Sequence, residues 1–124
     1  MHKDTNRPRR VAELIKRELA TLIARELDDP VAHKVTLTGA EATHDLSSVR
    51  IYFSLLTGSA EADTAARVLN RVAGELRHAL RRRVTLKRGV PELRFVFDES
   101  LERGARVDAL IERALAEDAE TRNK

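Results

Sequence analysis

The chain has 124 residues, 42% apolar and 35% charged, with a formal net charge of +3. That length suits one domain, and a chain of this size buries roughly 65–70% of the surface its unfolded form exposes, enough for a core without covalent staples. It contains no cysteine, which excludes disulfides, thiolate metal sites and a cysteine nucleophile and suits a reducing, cytoplasmic setting; nor does any stretch reach the roughly 18–20 apolar residues of a membrane span.

The segment Met1–Arg10 has no apolar run behind its charges and does not read as a signal peptide. Residues 8–28 predict the first helix, because Val11, Leu14, Ile15, Leu19, Leu22, Ile23 and Leu27 recur at i, i+3 and i+4 spacing. Thr5 or Asn6 is placed to cap it, Pro8 suits its first turn, and Asp28-Asp29-Pro30 stops it. One face is too apolar to stand in water, so this helix is expected to cover a sheet. Residues 34–43 begin as an alternating strand with Val35 and Leu37 on one side, and Gly39 marks a bulge. A turn at His44–Ser48 leads to a clean alternation over 49–56, with Val49, Ile51, Phe53 and Leu55 against Arg50, Tyr52 and Ser54. The two strands read as an antiparallel hairpin.

A second helical pattern runs from about Glu61 to Arg83, with Gly74 inside it as a kink or a close backbone approach. Pro91 precedes a third strand over Glu92–Asp98, with Leu93, Phe95 and Phe97 on one side. Ser100 is placed to cap a last helix whose stripe is Val107, Leu110, Ile111, Ala114 and Leu115. The expected fold is α+β in the order α-β-β-α-α-β-α: a three-stranded sheet with helices on one face. One domain spans 1–124, ordered over about 7–116, with flexible ends at 1–6 and 117–124.

The modest net charge hides an asymmetry. Residues 71–94 hold eight basic side chains (Arg71, Arg77, Arg81, Arg82, Arg83, Lys87, Arg88 and Arg94) against Glu75 and Glu92. A polyanion partner is one reading of such a patch and a solvated helix face is the other. With Phe53, Phe95, Phe97 and Tyr52 as the whole aromatic complement, a base-stacking platform is not expected.

The element order, with a broken helix between strands two and three, resembles the type II KH domain. The runs Leu69–Arg77 and Leu86–Phe95, then Asp98-Glu99-Ser100 and Gly104, together with Arg10–Leu19 and Asp28-Asp29-Pro30, resemble the ribosome-binding factor A family over roughly residues 6–115. The resemblance implies a non-enzymatic factor for ribosome biogenesis. Such a factor binds the free 30S subunit and its 16S rRNA, assists late maturation and 5′-end processing, and is linked to growth in the cold. It implies no cofactor, no small-molecule substrate, no membrane and a monomer. The GxxG loop of ordinary KH domains is absent. The family replaces it with an Ala-x-Gly kink, where this chain has Val72, Ala73 and Gly74.

If the helix bends at Gly74, its halves present one concave basic surface. The candidate rRNA-contacting residues are Arg71, Arg77, His78, Arg81, Arg82, Lys87 and Arg88, whose guanidinium forks suit phosphate oxygens. Arg83 and some neighbours have another reading, as aliphatic cover for the sheet edge. Arg7, Arg9 and Arg10 form a possible second contact. Chemistry of other kinds lacks its motifs: the four histidines are scattered, His44-Asp45 reads as a turn, and no phosphate-binding glycine loop occurs. The alternative functions are a DNA-binding regulator, or a protein-interaction module whose basic patch is incidental.

Overall fold

The structure is a computed structural model and describes residues 7–87, 89–100 and 110–117. The first apolar stripe folds as α1 (Arg7–Glu26), burying Val11, Ala12, Ile15, Leu19, Leu22 and Ile23. Leu14 and Leu27 pack half-buried at its margins. The Asp29 carboxylate accepts the Val31 N–H at 2.9 Å, turning the chain where Pro30 forbids another helical turn. The expected caps Thr5 and Asn6 lie outside the described residues.

β1 (Val35–Ala42) and β2 (Ser48–Leu55) form the antiparallel hairpin. Leu37 faces Phe53 but Gly39 faces Tyr52, so Thr38 is the extra residue of a bulge at the expected place. β2 is the central strand. Its Val49, Ile51 and Phe53 are fully buried, and each such side chain contributes roughly 1.5–3 kcal/mol relative to exposure.

The chain then crosses over through α2 (Ala62–Arg71) and α3 (Ala73–Leu80) and returns as β3 (Glu92–Phe97), parallel to β2. The hairpin alternation did not foretell this parallel pairing, which needs a connection long enough to travel back along the strand. The helices lie on one face of the sheet. Ala65 and Leu69 of α2, Leu76 and Leu80 of α3, and the buried stripe of α1 meet Val49, Ile51, Phe53, Leu93 and Phe95 there. Phe97 closes the core edge-on to Phe53, with ring centroids 5.7 Å apart.

At the C-terminal end the Asp98 carboxylate accepts the Ser100 N–H at 2.9 Å. The residues that a Ser100 cap would bond lie outside the described ones. Residues 110–117 are helical. Their apolar side chains do not complete the core, because Leu110, Ile111 and Leu115 are 61%, 52% and 63% exposed. Val107 and the ends 1–6 and 118–124 lie outside the described residues.

Candidate nucleic-acid interface

α2 and α3 nearly form one helix. Val72 separates them, with φ −97° and ψ 7°, and its N–H still bonds the Val68 carbonyl. The bend is therefore at Val72, the first residue of the expected kink Val72–Gly74, and not at Gly74 itself. Val72 is half-buried against the core, which holds its β-branched side chain in place. Gly74 sits inside α3 without a positive φ, and a Cβ placed on it would meet nothing within 4 Å. Neither conformational need nor close approach requires a glycine there.

The buried positions of the pair (Ala65, Leu69, Leu76 and Leu80) turn the intervening residues outward. Arg67, Arg71, His78, Arg81 and Arg82 all lie exposed at helical spacing. After α3 the chain makes one more turn, with Arg83 N–H bonded to Leu80 and Arg82 N–H to Ala79. Buried Val84 then anchors it, so the arginine triplet stands on a fixed extension of α3. Lys87 is exposed at a second corner, closed by the Gly89 N–H on the Leu86 carbonyl. Gly89 has a φ of 80°, a left-handed value that glycine adopts without strain.

The candidates divide into tied and free. Arg77 is half-buried, and its Nε–H donates to the Val90 carbonyl at 2.9 Å, bracing the approach to β3. Arg83 pairs with Glu18 of α1 at 2.6 Å. It thus tethers the turn after α3 to α1. Arg71, His78, Arg81, Arg82 and Lys87 make no ion pair among the described residues. Arg88 lies outside them. Asp63 and Glu75, in the first turns of α2 and α3, are the acidic groups of this helix pair.

Arg7, Arg9 and Arg10 are exposed in the first turn of α1, which has no acidic residue there. Cations at a helix N-terminus oppose the positive end of its dipole, so they do not stabilise the helix. The His44-Asp45 pair is a local turn: the Asp45 carboxylate accepts from the Ser47 hydroxyl and N–H and from the Thr43 hydroxyl. These bonds lower its pKa from 3.8 to about 2, that of the Ser47 hydroxyl being the largest cause.

Sequence reasoning missed Asn70. Its amide donates to the Phe95 carbonyl at 3.0 Å and accepts the Phe95 N–H at 2.8 Å. One side chain thus pairs with the outer edge of β3 as a neighbouring strand would. Beside it a hollow of about 340 Å³ opens between Ser48, Asn70, Glu92, Leu93 and Arg94. The only local signal was a short amide side chain of low helix propensity in the last turn of α2, between Leu69 and Arg71.

Fold and ridge define a class: a small α+β protein with a mixed three-stranded sheet that shows solvent a bent, arginine-bearing helix pair. Comparison with known proteins gives that class a family. The family model of ribosome-binding factor A matches residues 7–111. Ribosome-binding factor A of Thioalkalivibrio sulfidiphilus is 44% identical over 118 residues, 95% of this chain and 91% of that protein. The crystal structure of ribosome-binding factor A from Thermus thermophilus superposes with a TM-score of 0.64 at 29% identity, covering 73% of this chain and 93% of that one. A homology model of the Thermus thermophilus factor, fitted into the cryo-EM map of a 30S–RbfA complex, matches with a TM-score of 0.51 at 25% identity, over 69% of this chain and 93% of that one. The chain belongs to the ribosome-binding factor A family.

Proposed function

We propose that this protein is a ribosome assembly factor that binds the free 30S subunit and acts in its late maturation, including 5′-end processing of 16S rRNA. The exposed side chains Arg71, His78, Arg81, Arg82 and Lys87 along α2, α3 and the following turn, none of them in an ion pair among the described residues, carry this reading. Guanidinium groups suit phosphate oxygens, and recognition then rests on RNA shape and phosphate placement. Arg77 supports this surface by bracing the loop that bears Lys87. Arg7, Arg9 and Arg10, set against their own helix dipole, form a second RNA contact that an anion would stabilise.

The α-β-β-α-α-β order and the parallel β2–β3 pair support a KH-like reading in which the bend at Val72 stands where other KH domains have their loop. Family membership supports the ribosomal partner, and the 30S complex of the Thermus thermophilus factor supports the small subunit. The factor acts as a cytoplasmic monomer, without catalysis. A helix-turn-helix DNA reader is disfavoured, since that motif needs a turn of about three or four residues at a steep angle and only Val72 lies between α2 and α3.

The test is a salt titration of binding to free 30S subunits. We expect log affinity to fall with log salt by about 0.7–0.9 per phosphate neutralised. Arg81→Glu with Arg82→Glu should flatten that slope by about 1.4–1.8 at unchanged thermal stability. A slope near zero for the unsubstituted protein would sink the proposal.

A further inference from the structure

The helices cover one face of the sheet, and a second charged feature lies on the other. The alternation that buries Val49, Ile51 and Phe53 sends Arg50, Tyr52 and Ser54 to the open face; in β3 it sends Glu92, Arg94 and Val96 there. Parallel register then sets Arg50 directly beside Arg94, and Tyr52 beside Val96. Like charges at opposed positions of neighbouring strands destabilise a sheet. Glu41 faces Arg50 from β1 and attracts it across the strands, and Glu92 lies two residues before Arg94, yet neither arginine closes an ion pair among the described residues. Both are exposed.

Tyr52 organises the pair. A Cβ on Gly39, its neighbour in β1, would lie 3.8 Å from the Tyr52 ring, so the ring leans over the glycine backbone. Its hydroxyl accepts a hydrogen bond from Arg50 Nη1 at 3.3 Å. One guanidinium thus bonds a tyrosine hydroxyl, and the other borders the hollow beside Asn70.

We propose that the open sheet face is a second RNA site, in which Arg50 and Arg94 together grip one phosphodiester group of a single strand and Tyr52 orients Arg50. The inference rests on the reading of the chain as an rRNA-binding factor and adds a contact on the side away from the α2–α3 ridge. Neighbouring strands lie about 4.8 Å apart, a spacing at which two forks bracket one tetrahedral anion, and that anion removes their mutual repulsion. Glu41 and Glu92 confine the positive field to a narrow strip. Such a strip fits a nucleic-acid backbone, whereas a broad acidic protein surface would meet those carboxylates.

The experiment compares the full chain with R50Q/R94Q, over a salt series, on protein-free 16S rRNA and on free 30S subunits. Loss of one phosphate contact should flatten the log–log slope by about 0.7–0.9, and so weaken binding about sixfold at 0.1 M salt relative to 1 M. The thermal midpoint should hold, because the repulsion between the arginines and the attraction of Glu41 for Arg50 are lost together, and R50K/R94K should restore the slope. If R50Q/R94Q lowers the midpoint, R94Q alone is read in its place, since Arg94 lacks the tyrosine bond. Unchanged slopes on both targets overturn the proposal. Weakening on subunits but not on bare rRNA also overturns it, and assigns the face to a protein partner. If Arg81→Glu with Arg82→Glu is silent while R50Q/R94Q is not, the ridge reading fails and the sheet site stands. If the unsubstituted protein shows no salt-dependent RNA binding, both fail.

Discussion

Asn70 shows how much one side chain does here. A buried strand edge needs partners for its N–H and C=O, and a single amide supplies both to Phe95. Asn70→Ala should cost about 1–3 kcal/mol in urea unfolding, with faster hydrogen exchange at the Phe95 amide as the local sign. Asp98 plays a similar part at the far end of β3. Its carboxylate takes the Thr38 hydroxyl at 2.6 Å and the Ser100 N–H, and its N–H extends the ladder to the Phe53 carbonyl. Bonds from Ser100 first and Thr38 next hold its pKa below the usual carboxylate value. A carboxyl depressed in the folded state contributes stability above its unfolded pKa and loses it as pH falls. Unfolding free energy should therefore drop as pH falls from about 4 through the lowered folded value, and Asp98→Asn should remove part of that dependence, read by denaturation at stepped pH. Neither tie was legible in the sequence: Thr38 and Asp98 stand 60 positions apart, and local pattern says nothing about such a pair.

At the scale of elements, periodicity spoke plainly where one face is buried. The alternation of β2 and the stripe of α1 predicted their buried residues almost one for one. The bulge was legible too, because a glycine inside a strand pattern weakens pairing there. The break between α2 and α3 falls inside the segment Val72–Gly74 expected to kink, though not at the glycine, which is read as the weak point of a helix. Here tertiary packing instead holds Val72 off helical geometry, and Gly74 is an ordinary, open helical position. Gly74→Ala should accordingly stabilise the protein by about 0.5–1 kcal/mol in thermal or denaturant unfolding, leaving 30S binding intact. A loss of stability would mean that the bend needs the glycine after all.

Over the whole molecule, the core is drawn from α1, the sheet and the α2–α3 pair, and the helix over 110–117 stands outside it among the described residues. Leu69→Ala, at a fully buried site, should cost roughly 2–5 kcal/mol, while Leu115→Ala should change unfolding by no more than about 0.5 kcal/mol. Urea unfolding of the two variants checks this division directly.

The amino-acid order by itself determined the succession of elements, the buried faces of α1 and β2, and the gathering of basic charge around position 80. Periods of 2 and 3.6 and local charge are properties of neighbouring residues. Only the tertiary structure decided that β3 runs parallel to β2, that Arg77 and Arg83 are tied while Arg71, Arg81 and Arg82 make no ion pair among the described residues, and that Arg50 stands beside Arg94. Each of these is a distance between residues remote in the chain, set by the packing of a crossover against a sheet. No local pattern carries such a distance.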